Sequence, residues 1–208
     1  DRTIAIAWMS AWPYADRTPT EQFRSVNSLP RDISLFTVGE DIYASATPSE
    51  EVSSLRPSTA EIETFLVDNA ASKDVAVGGY DAYEVSFTLK PQSEGKTKVT
   101  LCNACGEKFS LEFDTENMTV LADRSESGKM TRIKSFVLMP AAPLGLCNSS
   151  DGYDVDVFVD KCSVEVFVDG GRIVMTNLVF PSESFDNIVF ESTGESEISN
   201  MFIHKIGK

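Results

Sequence analysis

Residues 153–182 read YDVDVFVDKCSVEVFVDGGRIVMTNLVFPS. Tyr153, Val155, Val157 and Val159 alternate with Asp154, Asp156 and Asp160, and Val164, Val166 and Val168 alternate with Ser163, Glu165 and Asp169. A period of two places the valines on one face of a sheet and the acids on the other. Asp169-Gly170-Gly171 supplies the positive φ that a tight hairpin turn requires. Ile173–Phe180 then returns as a third strand, which Pro181 ends by removing a backbone donor.

Outward from this triple the chain is strand after strand. Tyr83, Val85, Phe87 and Leu89 alternate with Glu84, Ser86 and Thr88. Further strands are expected at Lys96–Leu101, Lys108–Phe113, Asn117–Leu121, Met130–Met139, Asn187–Glu191 and Glu197–Ile206. Many short strands separated by turn signals predict an all-β antiparallel sandwich of jelly-roll type, over residues 80–208. Phe87, Phe113, Phe158 and Phe167 sit at alternating positions and read as core.

Earlier in the chain the pattern changes. Thr3–Met9, Phe23–Ser28, Ile33–Val38 and Ile42–Ala46 read as strands, with residues 10–21 as a loop carrying Trp12 and Tyr14. Residues 47–79 read as a linker, opened by the Ser-, Thr- and Pro-rich TPSEEVSSLRPSTA. Within it, Ile62, Phe65 and Leu66, preceded by Ser58 as an N-cap, predict one short helix over Ala60–Val67. Asp1 opens directly into the first strand-like run, with no signal peptide ahead of it, which reads as a piece of a longer protein.

The 208 residues carry 32 acidic and 18 basic side chains, a formal charge of −14. Such a surface repels phosphate backbones and anionic membrane faces, so nucleic acid is not an expected partner. No apolar run approaches the ~20 residues of a membrane span. A neutral glycan is compatible with the charge. Cys102, Cys105, Cys147 and Cys162 leave pairing open. The Cys102-x-x-Cys105 spacing has no second pair, and the one histidine, His204, is read as a surface residue. Asp151, Asp154, Asp156, Asp160, Glu165 and Asp169 could hold a Ca²⁺ or a glycan, but alternation alone explains them as a solvated strand face. Neither a metal nor a cofactor is expected. Asn117-Met118-Thr119 and Asn148-Ser149-Ser150 fit the glycosylation pattern.

Two blocks carry a family resemblance. Phe158–Ser182 resembles the signature of the C-terminal β-sandwich of glycoside hydrolase family 32, the family of invertases, levanases and inulinases. Trp8–Leu35 (WMSAWPYADRTPTEQFRSVNSLPRDISL) resembles the segment where that family's catalytic propeller ends and its sandwich begins. Tyr83–Leu89 and Leu121–Gly128 (LADRSESG) also resemble sandwich segments. The resemblance implies that residues 1–46 are the remnant of a last propeller blade and crossing segment. It implies a fructan or sucrose as the substrate of the parent enzyme, which would be secreted or periplasmic. Family members are retaining glycosidases, with two carboxyl groups about 5–5.5 Å apart. Their acids lie in Asn-Asp-Pro-Asn-Gly-, Arg-Asp-Pro- and Glu-Cys-like motifs. None of these occurs here, since Arg31-Asp32 is followed by Ile33. No catalytic residue is therefore assigned. The one substrate-binding residue that the resemblance implies is Trp12, matching a Trp that lines the fructosyl pocket, although the Asn of the family's Asn-Trp pair is Ala11 here. Trp8 reads as a packing residue of a blade, and Trp12 reads equally as packing or as sugar-lining.

Three function classes remain. One is the non-catalytic C-terminal portion of a family 32 hydrolase, stabilising its propeller; the second is a free lectin-like sandwich; the third is a stand-alone interaction domain. If residues 1–37 are strands with open edges, they should pack on the sandwich, self-associate or be poorly ordered.

Overall fold

The computed structural model describes residues 2–24, 26–148 and 150–207. Three strands come first: β1 (Ile4–Ala5), β2 (Arg31–Val38) and β3 (Asp41–Pro48). Three short ones follow, β4 (Thr59–Ile62), β5 (Phe65–Val67) and β6 (Lys73–Ala76). Then come β7 (Tyr83–Pro91), β8 (Lys96–Cys102), β9 (Lys108–Asp114), β10 (Thr119–Glu126), the helical turn α1 (Lys134–Val137) and β11 (Ala142–Pro143). The chain ends with β12 (Tyr153–Asp160), β13 (Ser163–Val168), β14 (Ile173–Leu178), β15 (Asn187–Ser192) and β16 (Ser196–Lys205).

Two antiparallel sheets form the expected sandwich. One has six strands in the order β11-β10-β9-β8-β15-β6, the other seven, with β14-β13-β12-β7-β16-β4 as its path and β5 also paired to β16. A third, separate sheet of order β1-β2-β3 holds the N-terminal strands. The hairpins that opened the sequence reading are in register, Val157 facing Val166 and Val166 facing Met175. The valines of β12 and β13 are buried, and they join Tyr83, Leu89, Phe109, Phe113, Ile188 and Phe190 in one core between the two sheets. Phe87 meets Phe190 edge-on, with centroids 5.5 Å apart, a geometry that places a ring's positive edge on its partner's negative face. Phe87 and Phe113 are buried in this core, as their spacing predicts, whereas Phe158 and Phe167, also buried, lie on the opposite, acidic face in a separate cluster with Val52.

In β16, Ser199 faces Thr88 but Phe202 faces Ser86, so one extra residue is accommodated. Asn200 absorbs it at φ 49°. This bulge shifts the parity of the strand, so that Ile198 on one side and Met201 and Ile203 on the other all reach the core.

Four expectations fail, each for a tertiary reason. The helix over Ala60–Val67 does not form. Its residues become β4 and β5, which pair Ile62 with Met201 and Phe65 with Ile198. Eight residues fall short of the ~12–15 that a marginal isolated helix needs, and the open edge of β16 offers a full ladder instead. The linker expected at residues 47–79 thus supplies three strands to the sandwich sheets. The strand over Met130–Met139 is instead a turn and α1; Met130, Ile133 and Phe136 recur at helical spacing and pack into a second, smaller cluster with Met9, Tyr14, Leu178 and Phe180. Finally, the acidic face of β13 is not solvated. Every residue of β13 is buried, because the N-terminal sheet and the segment after it cover that face.

The strand expected over Thr3–Met9 contracts to β1 plus a bridge from Trp8 to Asn27. Of the strand expected at Phe23–Ser28, that bridge at Asn27 is what forms, and Ser25 lies outside the described residues. So does Ser149 of the second glycosylation pattern.

Candidate functional site: the seam between the N-terminal sheet and the sandwich

Register places five residues in one row across the outer face of the seven-stranded sheet. His204 faces Glu84, Glu84 faces Phe158, Phe158 faces Glu165, and Glu165 faces Thr176. Both glutamates of this row are buried, Glu84 at 1% exposure and Glu165 at 4%. Burying a carboxylate is costly unless it is paired and hydrogen-bonded. Each one is met by an arginine from outside the row.

Arg31, at the start of β2, donates through Nη2 to Glu165 and to Thr176 Oγ1, the latter at 2.5 Å. Its guanidinium also lies 5.2 Å from the Phe167 ring centroid. The backbone N–H of Leu29 donates to Glu165 Oε1 at 2.8 Å. Leu29 and Val52 pack with Phe158 and Phe167 around this pair, which keeps water from it. Arg56 forms a two-pronged pair with Glu84, its Nε and Nη2 each 2.6 Å from a carboxylate oxygen. Burial raises the Glu84 carboxyl above its ordinary range, and Arg56 opposes that rise. Asp156, on the same face, is also raised, chiefly by burial.

The hairpin between β13 and β14 makes the second contact. Asp169, Gly170 and Gly171 have φ values of 48°, 61° and 74°. Asp169 is held there by two backbone amides, those of Asn148 at 2.7 Å and Asp154 at 3.0 Å, which donate to its carboxylate. Gly171 accepts a hydrogen bond from Ala46 N at 3.0 Å. A Cβ on Gly171 would lie 2.1 Å from Ala46 O, so glycine is required for this approach. Beside it Arg172 covers the ring of Phe36 at 4.7 Å, and Phe36 stacks on Tyr43.

The third contact fixes the loop that carries Trp12. Tyr14 is buried and meets Phe136 edge-on at 5.3 Å. Arg124, 4% exposed, donates to Phe136 O at 2.7 Å, Leu178 O at 3.3 Å and Tyr14 Oη at 3.3 Å. Trp12 itself is 86% exposed, with its ring 5.1 Å from that of Trp8. An exposed indole face suits the apolar side of a sugar ring.

The other sequence candidates are dispersed. Asp154 accepts from Thr88 Oγ1 at 2.8 Å, and Asp169 serves the turn described above. Among the described residues no three His, Cys, Asp or Glu side chains converge as metal ligands. His204 is half-buried; its Nδ1 lies 2.7 Å from Thr59 Oγ1, and burial lowers its pKa. The four cysteines are free thiols, Cys105 exposed and the other three partly buried. Burial, helped by Asp169, pushes the Cys147 thiol up to about 12. Sequence reasoning assigned no role in the seam to Arg31, Arg56, Arg124 or Arg172. The available signal was that Arg31, Arg56 and Arg172 each sit next to a Pro, Leu or Ile in a strongly acidic chain, whereas Arg124, between Asp123 and Ser125, carries no such signal.

The fold and the seam define an all-β accessory module whose sandwich is welded to a separate N-terminal sheet. The family model described as "Glycosyl hydrolases family 32 C terminal" matches residues 51–205, and the chain belongs to that family. It is 28% identical to the levanase of Bacillus subtilis (strain 168), over 100% of this chain and 31% of that protein. It is 27% identical to the extracellular exo-inulinase of Aspergillus awamori, over 92% of this chain and 36% of that protein. The crystal structure of the A. awamori exo-inulinase superposes with a TM-score of 0.82 at 25% identity, covering 99% of this chain and 40% of that one. The β-fructofuranosidase of Schwanniomyces occidentalis has the same fold, with a TM-score of 0.80 at 21% identity. The chain thus spans about a third of the length of the curated relatives it matches. No helix among the described residues is long and apolar enough to cross a membrane.

Proposed function

We propose that this chain is the non-catalytic C-terminal portion of a secreted enzyme that hydrolyses a fructan or sucrose, and that it stabilises the catalytic propeller. Residues 1–46 are then the last strands of that propeller with the crossing segment, residues 47–79 the connection, and residues 80–208 the bulk of the sandwich. The observation that carries the reading is the row of two buried glutamates, each closed by an arginine from the segment that leads into the sandwich. Such a seam transmits the stability of a large core to a small sheet, which alone would be marginal. The exposed faces of Leu35 and Ile42 on that sheet, at 73% and 69%, would meet preceding propeller strands. Trp12 is the residue of this chain that would touch the sugar. Without those strands, the same surface favours self-association through residues 1–37.

The test has three arms. The purified 208-residue chain should release no fructose from levan, inulin or sucrose. Joined in place of the C-terminal third of the B. subtilis levanase, it should support fructan hydrolysis by the catalytic portion, with Trp12→Ala raising KM. Light scattering should show association of the free chain that is absent from the chimera. Fructose release by the chain alone would refute the non-catalytic assignment, and tight levan binding by it would favour a lectin-like module.

A further inference from the structure

Among the described residues, Arg124 is a buried cation with no carboxylate partner. Its three protein acceptors are two backbone carbonyls and one phenol. Its guanidinium carbon sits 4.1 Å over the Phe136 ring and 5.5 Å from that of Tyr14. Removing this group from water is costly, and neutral acceptors with two aromatic faces offset that less fully than a carboxylate would. A carboxylate would serve stability alone better, so the arrangement calls for another reason. What the guanidinium gains here is position, since its planar fork fixes several directions at once.

The group it positions is the loop over residues 10–17. Tyr14 is that loop's buried anchor. Tyr14 N and Ala15 N both donate to Ala11 O, at 3.1 and 2.9 Å, so the backbone from Ala11 to Ala15 is one closed turn. Trp12 lies inside that turn and projects into solvent. Tyr14 in turn is held by Arg124 of β10 and Phe136 of α1, both in the sandwich half of the molecule. The chain of contact therefore runs from sandwich to Arg124, to Tyr14, to the turn, to Trp12.

We propose that Arg124 is a positioning residue: through Tyr14 it holds Trp12 at a fixed angle, so that the sandwich sets the orientation of a sugar-facing side chain as well as lending stability. The role of Trp12 toward sugar rests on the function proposed above, whereas the latch itself does not.

Trp8 and Trp12 are the chain's two tryptophans. Their rings, 5.1 Å apart and inclined at 58°, should give an exciton couplet in circular dichroism that reports on this pair alone. Arg124→Lys keeps the charge and loses the fork, and Tyr14→Ala removes the anchor while leaving the main sandwich core, to which Tyr14 does not belong, untouched. Both variants are expected to lose most of the couplet while retaining a cooperative melt, and Tyr14→Phe to lose a smaller part. Val166→Ala, in the main core, should lower the melting temperature and leave the couplet intact below it. A couplet of wild-type size in folded Arg124→Lys or Tyr14→Ala overturns the latch. If Arg124→Lys fails to fold, Tyr14→Ala decides alone. Because these spectra contain no sugar, an unchanged fructan KM in the Trp12→Ala chimera would remove the sugar role and leave the latch standing.

Discussion

Glu165 sits directly opposite Phe158 and Thr176 in its sheet, and its carboxylate meets Arg31 and the Leu29 amide. A buried pair of this kind adds little over a well-packed apolar pair, but breaking one half strands the other charge. Glu165→Gln is therefore expected to destabilise the protein by about 3 kcal/mol, read as a lower urea midpoint. The double change Arg31→Met with Glu165→Leu should recover most of that loss. A single variant as stable as wild type would show that water already reaches the pair. Asp156 behaves in the opposite sense. Burial raises its folded pKa, so the folded state binds its proton more tightly than the unfolded state does. Stability from this group is present at low pH and is lost as pH rises through the raised pKa. Asp156→Asn should accordingly be more stable than wild type at pH 7, with the gap closing as pH falls toward 4. Urea midpoints at the two pH values check this, and a gap that widens on acidification would contradict it.

Among the elements, the hairpin joining β13 to β14 is the one whose shape the seam depends on. Gly170 and Gly171 both have left-handed φ, but a Cβ on Gly170 would come no nearer than 3.9 Å to Thr47 Cγ2, while one on Gly171 would strike Ala46 O at 2.1 Å. Gly170→Ala should thus cost about 1–2 kcal/mol, the left-handed penalty alone. Gly171→Ala should cost clearly more and should expose the segment after β3 to limited proteolysis. Equal melting temperatures for the two variants would mean that β3 gives way without loss. The sequence Asp-Gly-Gly announced a tight turn here. That its second glycine also serves a contact with a strand more than a hundred residues earlier was not visible, because a positive φ and a close approach demand the same residue.

For the molecule as a whole, the seam joins a sandwich with a large core to a three-stranded sheet whose β1 is only two residues long and which alone would be marginal. Three buried contacts, at Glu165, Gly171 and Arg124, couple the two. Calorimetry should therefore show one unfolding transition for the chain, with equal calorimetric and van't Hoff enthalpies. Glu165→Gln should split off an earlier transition for the N-terminal sheet. Two transitions in the wild type would show that the seam is too weak to couple them.

Local pattern determined much of this. Period-two alternation placed β7, β12 and β13 and their core valines, because a strand's faces are written in its own residues. The absence of the catalytic motifs, and the resemblance that singled out Trp12, were likewise matters of sequence alone. Tertiary structure decided what covers each face. Alternation marks Glu165 as polar but does not say whether water or Arg31 lies opposite, and the spacing of Ile62, Phe65 and Leu66 suits a helix until β16 offers an edge. The burial of an arginine, and the edge open to a short segment, depend on residues far away in the chain, and no local pattern carries that information.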